Sequence, residues 1–285
     1  MKISKRIRAI IIIAISMAIS AYFIPWGILS LALYPLPDTV QEEIDRMGKH
    51  GLDGTIVYVD KGSQVSNYAS GWKNRQAMIE AKPDDLFKIA SISKLFIASA
   101  AAMMIDEGQL KLEEKLTSYL PHYGGQIEYG DSITLRMLIG HRSGIPNYTD
   151  QPEFPWESPP KSNSEALALV LGMPGDFAPG KDYKYSNTNY LLLGEIMDTT
   201  LGYSHHRYIK EKILQPLGLK HTYSLLSQVD IDEVMSGYYV GYEPDIKYND
   251  FISPGGSMVS TAEEVGIFLR ALNEGSLLTG EAQEI

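Results

Sequence analysis

Ser91 and Lys94 stand three residues apart in the run FKIASISKLF, residues 87–96. A serine hydroxyl is a weak nucleophile until a base takes its proton and a dipole stabilises the charge that develops. A helix N-terminus supplies the dipole and free N–H groups. Lys94, at i+3, falls on the same helix face as Ser91 and is placed to be the base. The chain holds three S-x-x-K sequences, so the spacing alone is weak. Ser70-Gly71-Trp72-Lys73 reads as a strand ending in a turn, and the prolines of Ser158-Pro159-Pro160-Lys161 exclude a helix there. Only Ser91–Lys94 opens an apolar helical pattern, expected over 93–107 with Gly108 as its stop. The bland alternative makes Ser91 an N-cap and Lys94 a solvated lysine.

A second cluster lies in PGKDYKYSNTNYLLLG, residues 179–194. Tyr185-Ser186-Asn187 is the only Y-x-N in the chain. The Tyr185 phenol can relay a proton, and the Asn187 amide can hold a lysine or a substrate carbonyl. The alternative is a packed loop tyrosine and a helix-capping asparagine.

Five blocks carry a resemblance: FKIASISKLF (87–96), LRMLIGHRSGIPNY (135–148), PGKDYKYSNTNYLLLG (179–194), PLGLKHTY (216–223) and PGGSMVSTAEEVGIFLRAL (254–272). In order and spacing the chain resembles the serine β-lactamase and penicillin-binding protein superfamily. The branch is that of class C β-lactamases, D,D-carboxypeptidases, D-aminopeptidases and related esterases. The resemblance implies an α+β fold: an antiparallel sheet flanked by helices plus a mostly helical subdomain, with the site at their junction. It implies Ser91 as the acylated nucleophile, Lys94 as its base, and Tyr185 as the proton shuttle. Asn187 would orient the lysine and the substrate amide, and the Ser91 N–H would be one oxyanion donor. Ile89, Ile92 and Leu95 are expected to shield Lys94.

The same resemblance implies a third motif, Lys or His, then Thr or Ser, then Gly, on a late strand. No such motif follows Tyr185, and Leu278-Thr279-Gly280 does not match it. The expectation is a domain incomplete at its C-terminus, without its last strands. Two functions are therefore carried forward. One is an extracytoplasmic serine hydrolase acting through an acyl-serine on D-amino-acid peptides, β-lactams or small esters. The other is an inactive membrane-anchored binding or regulatory homologue, or a truncated gene product.

Other chemistries find little support. His141 lies in GHRSG, without the G-x-S-x-G elbow of a Ser-His-Asp hydrolase. His205 and His206 are adjacent and so face different directions on a helix. With no Cys and no H-E-x-x-H, no metal and no cofactor is expected. A net charge of −10 argues against nucleic acid as a partner. The expected partners are a small-molecule or peptide substrate and, through the N-terminus, a membrane. Lys2, Lys5, Arg6 and Arg8 precede an uncharged run from Ala9 to Pro37, interrupted by Pro25. Residues 1–37 read as a signal or anchor, and 38–285 as a hydrolase domain outside the membrane. Within that domain, helices are expected at 38–48 (capped by Asp38), 134–140, 164–172, 188–201, 204–214 and 261–274. A hairpin is expected from GTIVYVD (54–60) and QVSNYASG (64–71).

Overall fold

The computed structural model describes residues 4–33, 37–62, 64–239, 241–242, 244–278 and 280–284, so Lys2 and Thr279 lie outside the described residues. Met1–Glu43 and Ile44–Ile285 form two compact units. In the first, α1 (Lys5–Phe23) is capped by Ser4, whose Oγ accepts from Ile7 N at 3.3 Å. Its apolar side chains, Ile10, Ile12 and Phe23 among them, are exposed. Nineteen residues span about 28 Å at 1.5 Å each, close to the thickness of a bilayer core. Among the described residues it is the one helix long and apolar enough to cross a membrane, a test a signal sequence also passes. Pro25 stops it: Ile24 is extended, as a residue before proline prefers. The chain then re-enters a helix as α2 (Trp26–Leu33).

Helix α3 (Val40–Lys49) starts two residues later than expected. The cap is Thr39 rather than Asp38: Thr39 Oγ1 accepts from Glu42 N at 3.2 Å. The Glu42 carboxylate reaches back to accept from Asp38 N at 3.0 Å, one residue before the cap.

The expected hairpin is present. β1 (Gly54–Asp60) pairs antiparallel with β2 (Val65–Asn74), and the short β3 (Ile79–Glu80) adds to β2. The strand β2 runs through Ser70–Lys73, so that S-x-x-K lies inside a strand rather than at a turn. A second pairing joins β4 (Phe87–Lys88) to a late strand, β5 (Val259–Ser260). Between them come α4 (Ser93–Asp106), α5 (Leu116–Tyr119), α6 (Leu135–Ile139), α7 (Asn163–Ala168), α8 (Asn187–Leu201) and α9 (His205–Ile209). The last continues as a π-helical turn at Lys210–Leu214. After β5, α10 (Ala262–Asn273) begins at Thr261, whose Oγ1 accepts from Glu264 N.

The core is built around α4 and α8. Phe96, Ile97, Ala100, Ala101 and Met104 of α4 are buried, as are Leu191, Leu192, Leu193 and Ile196 of α8. A helix apolar on most of its circumference must be enclosed on most sides. Helix α10 covers another side of α4, stacking Phe268 on Phe96 with centroids 3.7 Å apart. Both rings are fully buried. Phe268→Ala is expected to lower unfolding free energy by about 3–5 kcal/mol. Urea denaturation of the full chain checks this, as a lower midpoint at unchanged slope.

Candidate active site

The segment that carries Ser91 is held from both sides. β4 ends at Lys88, and Ile89 N donates to Met258 O at 3.1 Å. On the far side Met258 N donates to the buried Ser93 Oγ at 3.2 Å. Between these ties the chain makes a 3₁₀ turn, Ala90–Ile92, that leads into α4. Ala90 takes φ 45°, a left-handed conformation that a side chain disfavours. The result is an exposed Ser91 at the mouth of α4, with Lys94 one turn below it.

Lys94 is 6 % exposed. Its Nζ donates to Ser91 Oγ at 3.2 Å, to Asn187 Oδ1 at 2.8 Å and to Gly255 O at 2.7 Å. Three acceptors match the three hydrogens of an ammonium. A neutral amine fits the same positions: two hydrogens stay on Asn187 and Gly255, and the lone pair takes the Ser91 proton. Burial pushes the Lys94 pKa down to about 8. The shield differs from the one expected. Ile89 is buried, but Leu95 is 40 % exposed. The rings of Tyr185 and Tyr190, 5.0 and 5.5 Å from Nζ, and the backbone at Gly255 enclose the ammonium instead. Gly255 permits that closeness. A Cβ there would sit 2.9 Å from Lys94 Nζ and 3.1 Å from Tyr190 Cβ.

Tyr185 OH lies 2.9 Å from Ser91 Oγ. Asn187 is the first residue of α8, and its orientation is determined by its neighbours. Its Nδ2 donates to Thr149 Oγ1 at 3.0 Å, which turns Oδ1 towards Lys94. Its backbone N donates to Asn147 Oδ1 at 2.9 Å, and Asn147 Nδ2 donates to Thr149 and to Asp150. The 141–150 segment is thus a strap that locks the start of α8.

His141 belongs to the same strap. Its ring packs tilted against Tyr185, with centroids 4.5 Å apart, and its Nδ1 accepts from Ser186 N at 3.2 Å. Burial, then the nearby Lys94 charge, lowers its pKa below the usual histidine range. The acceptor nitrogen is committed to Ser186, so His141 positions Tyr185 rather than acting as a base. Among the described residues, no group of three His, Cys, Asp or Glu is placed to hold a metal.

The structure therefore brings Ser91, Lys94, Tyr185 and Asn187 into one hydrogen-bonded group. It adds Asn147, Gly255 and His141, which sequence reasoning placed in matching blocks but not at the site, and Thr149, one residue beyond the block 135–148. The one available signal was that GHRSGIPNY and PGGSM are polar, glycine-rich stretches beside apolar helices.

Residues 40–285 match the family described as Beta-lactamase. The chain is 28% identical over 209 residues to "Penicillin-binding protein 4*" of Bacillus subtilis (strain 168), covering 72% of this chain and 45% of that protein. It is 28% identical over 244 residues to "Protein flp" of Staphylococcus aureus (strain MW2), covering 81% of this chain and 48% of that protein. The chain thus spans about half the length of these curated relatives. Among solved structures it is similar to the D-amino acid amidase from Ochrobactrum anthropi SV3. The TM-score is 0.75 at 27% identity, covering 85% of this chain and 71% of the other.

Gly255→Ala tests the enclosure of Lys94. The added methyl must displace the ammonium or Tyr190, and a shift near 1 Å at a reacting group costs about 10²-fold in rate. The expected outcome is that loss in Ser91 acylation by p-nitrophenyl acetate, read by intact mass, on a chain whose circular dichroism is unchanged.

Proposed function

The chain belongs to the beta-lactamase family, and on that premise we propose that it is an extracytoplasmic serine hydrolase working through an acyl-serine. The substrates proposed are D-amino-acid peptides or amides, β-lactams or small esters. The observation that carries this reading is the contact of a buried lysine, pKa about 8, with an exposed serine hydroxyl at 3.2 Å.

In the proposed reaction the neutral Lys94 amine takes the Ser91 Oγ proton as Oγ attacks the substrate carbonyl carbon. The carbonyl oxygen becomes an oxyanion, stabilised by the Ser91 N–H at the mouth of α4. Tyr185, 2.9 Å from Oγ, gives its proton to the departing amine or alkoxide and is reprotonated from the lysine side. Asn187 keeps Lys94 in line through Oδ1, with amide hydrogen left for the substrate carbonyl. Water then cleaves the acyl ester and restores the Ser91 hydroxyl. The relative named a D-amino acid amidase supports an amide next to a D-centre as one substrate class. The exposed apolar helix α1 after a basic flank supports export, as an anchor or a signal.

The second reading is a binding protein that keeps the pocket without turnover. The two readings part in one experiment. Full-length chain in mild detergent is incubated with benzylpenicillin and weighed by intact mass, beside Ser91→Ala and Lys94→Ala. The hydrolase reading predicts a penicilloyl adduct that is absent from Ser91→Ala and forms about 10²–10⁴-fold more slowly on Lys94→Ala. An unmodified Ser91 on a folded chain, with thermal stabilisation by the ligand, overturns it in favour of the binding protein.

A further inference from the structure

Away from Ser91, a cavity of about 930 Å³ opens between α9 with its π-helical turn and the 218–228 segment. That is near the upper end of the 300–1,000 Å³ typical of ligand sites. None of its lining residues belongs to the Ser91 group. Its charged lining is all of one sign: Arg207, Lys210 and Lys220. No carboxylate lines it, in a chain with 35 acidic and 25 basic residues. Arg207 is partly compensated by Glu211 at 2.8 Å. Lys210 and Lys220 form no ion pair among the described residues. Of the carboxylates beside the lining residues, Glu264 is buried and accepts from His221 N and Thr222 Oγ1, and Asp198 is paired with His205.

His206 also lines the cavity. Burial, then repulsion from His205, pushes its pKa down to about 4, so it adds no charge to the lining at neutral pH.

We propose that this cavity binds a phosphate-bearing anion. The argument is charge balance. Two unpaired ammonium groups and a partly compensated guanidinium exceed what one carboxylate neutralises, whereas a di- or polyvalent phosphate matches them. Lysines serve such groups as point charges, and an arginine adds a planar fork of donors. The rest of this acidic chain repels anions, so capture depends on the local field of the cavity.

The test is calorimetric titration of the full chain in neutral detergent with pyrophosphate, against sulfate at equal ionic strength. The expected result is one site that prefers pyrophosphate. Affinity falls at least about tenfold in the Lys210→Gln/Lys220→Gln double variant and is unchanged in Ser91→Ala. Circular dichroism of the double variant guards against misfolding. Phosphatidylglycerol added to the micelles identifies the source: competition with pyrophosphate marks a lipid headgroup, and its lack a soluble phosphate. No binding, equal binding of sulfate, or wild-type affinity in the double variant overturns the proposal.

Discussion

A buried ammonium needs acceptors, and Lys94 dictates where they stand. Moving its pKa from 10.5 to about 8 corresponds to roughly 3 kcal/mol of lost preference for the charged form. Asn187 Oδ1, Gly255 O and Ser91 Oγ supply the acceptors that burial would otherwise deny it. Ser91 is one turn away, but Asn187 and Gly255 come from distant parts of the chain, so three segments must converge at one side chain. The linkage to stability has a definite sign. Below about pH 8 Lys94 is protonated both folded and unfolded, and the penalty is fully present. Between about 8 and 10.5 the unfolded chain still holds the proton that the folded chain has released. Stability from this group therefore rises with pH across that window.

The scaffold follows from that convergence. The pairing of β4 with β5 brings the PGGSM stretch beside Ser91. The 141–150 strap brings Asn147 and Thr149 under the first turn of α8, which turns Asn187 inward. His141 closes the group from behind Tyr185. Ala90 holds a disfavoured φ beside Ser91, a position where strain is commonly stored because the surroundings over-determine it.

Much of this was legible in the sequence where local pattern decides. The alternation of GTIVYVD and the Lys61-Gly62 turn foretold the β1–β2 hairpin. The apolar run after Ser93 foretold α4 to within one residue of its end. Ser91, Lys94, Tyr185 and Asn187 stood out because their types and order are distinctive, and the structure brings them together. What escaped was long-range or subtle. The two-residue strands β4 and β5 carry no periodicity, and they pair across more than half of the chain. The expected helix 204–214 is α9 plus a π-turn, whose i→i+5 bonds have no simple sequence mark. Gly255 matters for the space it leaves Lys94, which only packing reveals.

The central claim is that Ser91 is made nucleophilic by the neutral amine of Lys94. The most direct measurement is the rate of Ser91 acylation from pH 6 to 10, followed by intact mass on the full chain in detergent. The account predicts a rate that rises with pH, bends near 8 as Lys94 loses its proton, and then levels off. A rate independent of pH over that range, or a bend near the ordinary histidine pKa of about 6.5, would contradict it.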